Sequence, residues 1–210
     1  MTPKAVFWDM DGTLVDSEPL HDAALVAAMH SVGLVPPADL HERVLGQTAA
    51  VVYDMMRDEF GLDLPFDEWI ARKYDYYLAN VGGLQVRPGA VEVFRELKAR
   101  GVAQAVVSNS DRMVVDANLR VVGLTHAGMK TVSRNDVLEG KPHPEPFLRA
   151  AWLVGVDPAD AVAVDDSWTG ATSGLAAGMK TIFWPERPME GPPGAININS
   201  VEELRAELGL

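Results

Sequence analysis

The sequence contains no cysteine. That excludes disulfides, zinc–thiolate sites and cysteine nucleophiles, and it is compatible with a reducing compartment. Long apolar runs are missing as well: no stretch approaches the ~20 apolar residues of a membrane span. The apolar run that follows Met1-Thr2-Pro3-Lys4 is too short for a secretory leader with its cleavage site. A cytoplasmic protein with no membrane partner is therefore expected. Basic charge is scarce, with 18 Lys and Arg against 30 Asp and Glu and a net charge of −12. A sequence-independent nucleic-acid binder needs a basic footprint, so no nucleic-acid partner is expected either.

What remains is an ordinary globular composition, 48% hydrophobic and 23% charged over 210 residues. That length suits one large domain, or a domain with a smaller module, and buries a full core without covalent staples. Five short apolar runs, residues 5–8, 103–107, 130–132, 161–164 and 181–184, end in polar or turn residues. Nearly continuous apolar character over so few residues predicts strands buried on both faces. Helix-like periodicity falls between the later ones, at residues 91–98 before Gly101 and at 144–154, where Pro144 and Pro146 suit a first turn and Gly155 a stop. Alternation of this kind predicts an α/β fold with a doubly wound, parallel, Rossmann-like sheet.

The first crossover is far too long for a plain β-α-β unit. Residues 17–85 look almost wholly helical, with periodicity at 20–29, 49–60 and 69–78 punctuated by Pro36-Pro37, Gly46, Gly61 and Gly82-Gly83. They are expected to form an inserted helical cap, leaving residues 1–16 and 86–210 as the core. Ser17-Glu18-Pro19 and Gln85-Val86-Arg87-Pro88-Gly89 would be the linkers. The stretch from Pro185 to Gly194 is rich in proline and glycine and predicts a loop.

In open α/β sheets ligands bind beyond the carboxyl ends of the strands. The residues just past each apolar run are therefore the candidates. After the first comes Asp9-Met10-Asp11-Gly12-Thr13-Leu14. Two carboxylates two positions apart share a face if the strand continues, and Gly12 lets the chain turn. One carboxylate can attack phosphorus, and a second can serve the leaving group as acid and water as base. After the second run Ser108, Asn109 and Ser110 offer hydroxyls and backbone N–H groups to a phosphate oxygen, or cap a helix. The loop after the third reaches Gly140-Lys141-Pro142, and the fourth ends at Asp165-Asp166-Ser167. Adjacent acids at a buried strand end call for a cation, and hard oxygen ligands favour Mg²⁺. Nucleophile, hydroxyl, lysine and acidic pair are together the parts that phosphoryl transfer needs.

These residues, over nearly the whole chain from Val6 to about Ile182, resemble the haloacid dehalogenase superfamily, in the subgroup with a helical cap between the first and second motifs. The resemblance implies that Asp9 is nucleophile and metal ligand. Asp11 would be the general acid/base, with its backbone carbonyl also on Mg²⁺. Asp166 would be a metal ligand, with Asp165 binding directly or through water. Ser108 and Lys141 would hold phosphoryl oxygens, assisted by the Asn109 backbone. Asp11 argues against dehalogenation, since dehalogenases lack that second aspartate.

The subgroup holds sugar-phosphate phosphatases and β-phosphoglucomutase. Asp16-Ser17-Glu18-Pro19-Leu20-His21 is similar to a stretch that both share, which makes Ser17 and His21 cap or hinge candidates. The mutase relative grips a second phosphate with an arginine a few residues after a cap glycine, whereas here that stretch reads Gly46-Gln47-Thr48-Ala49-Ala50, with no basic residue. Residues 17–85 also hold four basic residues, Arg43, Arg57, Arg72 and Lys73, against eleven acidic ones. The expected partner is a small metabolite with one phosphate, and the expected reaction is hydrolysis. A phosphomutase and a non-catalytic phosphate binder are the alternatives, and a monomer or weak dimer is the expected state. Gln47, Thr48, Trp69, Tyr74 and Tyr77 either face the ligand or form the core of the cap.

Overall fold

The computed structural model describes residues 3–44 and 47–210. The chain divides into two compact units, Met1–Ser17 with Leu84–Leu210, and Glu18–Gly83.

The first unit opens with β1 (Ala5–Trp8) and the two-residue β2 (Val15–Asp16). The second is built from α1 (Glu18–Ser31), α2 (Leu40–Val44), α3 (Ala49–Phe60) and α4 (Phe66–Asn80). The chain then returns through β3 (Gln85–Val86), α5 (Ala90–Ala99), β4 (Ala103–Val107), α6 (Arg112–Val121) and β5 (Lys130–Val132). It ends with α7 (Glu145–Val154), β6 (Ala161–Asp165), α8 (Trp168–Ala176), β7 (Lys180–Phe183), β8 (Ile196–Asn197) and α9 (Val201–Leu208).

Six strands form one sheet in the order β5-β4-β1-β6-β7-β8, every pair parallel. The order reverses at β1, which lies between β4 and β6 with Ala5 opposite both Ala103 and Ala161. This is the predicted α/β, Rossmann-like core. Every residue of β1 and β6 is buried, which is why their runs carry no polar alternation. The one amide inside β4, Gln104, is matched on both sides: it accepts from the Trp8 indole N–H at 2.9 Å and donates to the Phe94 carbonyl at 3.0 Å.

Several predicted bounds shift. The strand expected at residues 181–184 runs Lys180–Phe183. Part of the expected second linker, Gln85 and Val86, instead pairs antiparallel with β2 as a short ribbon. The helix after β6 is capped by Ser167, whose Oγ accepts from the Gly170 N–H at 3.0 Å.

In the second unit Leu25, Ala28, Met29, Leu40, Met56, Leu62 and Trp69 form the buried cluster. Thr48 caps α3 and Gly61 ends it in the left-handed region. Trp69 and Tyr77 are buried, so these two aromatics belong to core packing. Gly46 lies outside the described residues. No helix among the described residues is long and apolar enough to cross a membrane.

Beyond β5 the chain is pinned to the start of α6. Asp136 accepts from the Ser133 N–H (2.7 Å) and Oγ (2.6 Å) and pairs with Arg112, while the Arg134 N–H donates to the Ser110 carbonyl at 3.0 Å. Partial burial opposes ionisation of Asp136, but the Ser133 hydrogen bonds and Arg112 prevail and hold its carboxyl below the ordinary range. A depressed carboxyl contributes stability above its unfolded pKa of about 4 and loses it as pH falls through the folded value. Asp136→Asn should therefore destabilise the protein by about 1 kcal/mol at pH 7 and by much less at pH 3. Urea unfolding at the two pH values measures this, and an equal loss at both would refute the charge argument.

Candidate active site

The ends of β1, β4 and β6, with the loop after β5, carry the candidates. Asp9 follows β1 directly, and its N–H continues the parallel ladder to the Val164 carbonyl at 2.9 Å. Asp165 ends β6 and Asp166 follows it. One carboxylate oxygen from each of Asp9, Asp165 and Asp166 lies within 4.8 Å of the others. Between them sits the buried Lys141 ammonium, 2.5 Å from Asp9 Oδ1 and 2.7 Å from Asp165 Oδ2. The structure thus brings together four residues that lie up to 157 positions apart.

Burial is the main cause that pushes the Asp9 carboxyl well above the ordinary range; Lys141 opposes it, and Asp165, Asp166 and Asp11 add to it. Burial, then Asp165, pushes Asp166 up to about 7, against the Thr13 hydrogen bond and Arg87. Burial alone would lower the Lys141 ammonium, but Asp165 and Asp9 outweigh it and hold it above the ordinary lysine range.

These residues fit a divalent cation. Three carboxylates against one ammonium leave two negative charges in a buried pocket, and an all-oxygen donor set suits Mg²⁺. Asp165 is the most occupied of the three. Its Oδ1 accepts from the Ser167 N–H (3.0 Å) and Oγ (2.7 Å), and its Oδ2 holds Lys141. Among the described residues Asp166 has one side-chain donor, Thr13 Oγ1 at 2.8 Å.

Asp11 does not share that cluster through its carboxylate. The strand does not continue to it: Gly12, with φ +88°, turns the chain, and its N–H donates to the Val15 carbonyl at 2.7 Å. A Cβ at Gly12 would lie 2.3 Å from Asp166 Oδ2, so the turn requires glycine twice over. The Asp11 carboxylate instead accepts from Ser17 Oγ at 2.6 Å, Ser110 Oγ at 2.7 Å and Ser108 Oγ at 3.2 Å. Asn118 Nδ2 approaches it at 3.4 Å.

Asn109 makes a side-chain contact of its own. Its Oδ1 accepts from the Lys141 N–H at 2.9 Å and its Nδ2 donates to the Lys141 carbonyl at 3.1 Å, so it grips the lysine's main chain from both sides. His21 belongs to the second unit, where its ring packs on Tyr77 with centroids 4.5 Å apart.

Thr13, Ser110, Ser167 and Gly170 also shape the site. Thr13, Ser110 and Ser167 lie inside the quoted motifs, but no sequence spacing marks their partners. A Cβ at Gly170 would lie 1.9 Å from Asp165 Oδ2.

Residues 3–178 match the family model for haloacid dehalogenase-like hydrolases. The chain is 29% identical over 214 aligned positions to hexitol phosphatase B of Escherichia coli, covering 97% of this chain and 95% of that protein. It is 30% identical over 190 positions to the bifunctional riboflavin kinase/FMN phosphatase of Arabidopsis thaliana, covering 88% of this chain but spanning only 49% of that longer protein. Among solved structures, CbbY from Rhodobacter sphaeroides in complex with phosphate superimposes with a TM-score of 0.88 at 25% identity, over 99% of this chain and 100% of that one.

Proposed function

We propose that this chain, which belongs to the haloacid dehalogenase-like hydrolase family, is a magnesium-dependent phosphatase that cleaves a small phosphomonoester through a phosphoryl-Asp9 intermediate. The observation that carries the proposal is the buried cluster in which Lys141 bridges Asp9 and Asp165 beside Asp166. Asp9 and Asp166 would hold the ion, with Asp165 beside them and the Asp11 carbonyl completing the protein's share. Bound there, Mg²⁺ would neutralise charge on the phosphoryl oxygens.

The chain's own groups then divide the work. An Asp9 carboxylate oxygen attacks phosphorus, and the bond from phosphorus to the ester oxygen breaks as protonated Asp11 gives that oxygen its proton. Asp11, now ionised, takes a proton from water as the water oxygen attacks the phosphoryl-Asp9. The bond from phosphorus to Asp9 breaks, and inorganic phosphate and the free carboxylate are restored. Lys141 Nζ and Ser108 Oγ steady the phosphoryl oxygens, and Asn109 fixes the peptide that carries the lysine. Ser17 and Ser110 hold the Asp11 carboxylate.

Residues 17–85 act as the cap that selects substrate. Their excess of acid disfavours a second anionic group, and the similarity to hexitol phosphatase B supports a sugar phosphate or similar polyhydroxylated monoester. The test is phosphate release from a panel of phosphorylated metabolites, with and without EDTA. Chelation should lower turnover at least about tenfold and added Mg²⁺ should restore it. Isomer as the main product from a hexose 1-phosphate with its bisphosphate would replace hydrolysis by mutase chemistry. Equal turnover of hexose bisphosphate and monophosphate would remove the argument from cap charge.

A further inference from the structure

Arg87 is a partly buried cation with an unusual set of partners. It follows β3, and its N–H donates to the Leu14 carbonyl at 3.0 Å, extending the ribbon by one bond. Its guanidinium lies 3.7 Å from the centroid of the Trp184 ring. From there Nη1 donates to the Gly12 carbonyl at 2.7 Å and to the Trp184 carbonyl at 2.6 Å, and Nη2 donates to the Pro185 carbonyl at 2.8 Å.

These three carbonyls belong to two loops that each touch an acid of the cluster, one at its carboxylate and the other at its main chain. Gly12 is the turn against which Asp166 packs, and Thr13, the next residue, donates to Asp166. Trp184 follows β7, and its N–H donates to the Asp165 carbonyl at 2.8 Å. A planar, five-donor fork can span both loops at once, which a point-charge ammonium cannot do.

We infer that Arg87 is a positioning residue for the metal site: it clamps the Gly12 turn to the exit of β7 and so sets the spacing of Asp166 against Asp9. The inference rests on the assignment of Asp9 and Asp166 as ligands of Mg²⁺. It separates from a plain charge effect by sign. Deleting a cation near a metal site should tighten metal binding by Coulomb's law, whereas loosening the clamp should weaken it.

The experiment is calorimetric titration of the metal-free full chain with Mg²⁺, for wild type, Arg87→Met, Arg87→Lys and Arg95→Met. Arg95, an exposed arginine, donates to the Val122 carbonyl at 3.2 Å and serves as the control for loss of one arginine charge and its carbonyl hydrogen bond. Arg87→Met should bind Mg²⁺ about tenfold more weakly despite losing a positive charge. Arg87→Lys, which keeps the charge but loses the fork, should bind at least as weakly, and Arg95→Met should match wild type. At saturating Mg²⁺ both Arg87 variants should lose about tenfold in kcat with KM little changed. Should Arg87→Met fail to fold, Arg87→Lys alone decides. Tighter binding by Arg87→Met, or wild-type affinity in whichever Arg87 variant folds, overturns the clamp and leaves the phosphatase proposal standing. No Mg²⁺ binding by wild type overturns the phosphatase proposal itself.

Discussion

Asp9→Asn should lower kcat by about 10⁴-fold or more while leaving the metal-free fold as stable as before, or more so. The amide has the shape of the carboxylate but cannot form the phosphoryl intermediate, so turnover stops at the first step. The stability half follows from electrostatics. Burial, the largest cause, pushes the Asp9 carboxyl well above its ordinary range even with Lys141 beside it. A carboxyl raised by folding binds its proton more tightly in the folded state. It therefore costs stability as pH rises from its unfolded value toward the raised one. At pH 7 the neutral amide avoids that cost, and below about pH 4 it should make no difference. Thermal unfolding in EDTA at pH 7 and pH 4, beside Mg²⁺-dependent hydrolysis of an aryl phosphate, tests both halves. Turnover within tenfold of wild type would place the nucleophile elsewhere. A sharp loss of stability at pH 7 would show that the pair with Lys141 outweighs the burial of the charge.

The pull between function and stability also explains which parts of the molecule were legible in its sequence. β1, β6 and the last three residues of β4 are buried, so their apolar runs stand out, and the polar residues that end them stand out by contrast. Asp9, Asp165 and Asp166 were legible because each is a polar residue placed where the sheet's pattern stops, whereas Lys141, in the loop beyond β5, was legible only in combination with them. β2, β3 and β8 were not, since two residues hold no periodicity and pairing depends on a distant partner. Arg87 reads as part of a linker because its partners, Gly12 and Trp184, lie 75 and 97 positions away. Asp11 was legible as a candidate but not in its surroundings. Period-two reasoning placed it beside Asp9, whereas the turn at Gly12 delivers it to the hydroxyls of Ser17, Ser108 and Ser110.

Gly170→Ala should be the most damaging substitution that adds only a methyl group. By propensity alone it ought to help, since Gly170 lies within α8 and alanine is favoured over glycine in a helix interior by about 1 kcal/mol. Space decides otherwise. The added Cβ would lie 1.9 Å from Asp165 Oδ2 and 2.1 Å from its Cγ and Oδ1. Asp165 is fully buried, with Ser167 on one oxygen and Lys141 on the other, so it cannot step aside without breaking those bonds. Lys141 then loses one of its two anchors, and the cluster that should hold Mg²⁺ loses its spacing. A displacement of about 1 Å at reacting groups can cost about 10²-fold, and kcat/KM should fall by at least that much. Gly174 is the matched control on the same helix. Its added Cβ would meet the Ala163 Cβ and Thr181 Oγ1 at 2.8 Å, against the sheet rather than the acids. Gly174→Ala should cost about 1–3 kcal/mol in urea unfolding, as overpacking does, with kcat close to wild type. Gly170→Ala with wild-type kcat/KM would mean that Asp165 moves freely and that Lys141 is held by Asp9 alone. The spacing of the acids would then be set from the β1 side of the site, by Gly12, Thr13 and the arginine behind them.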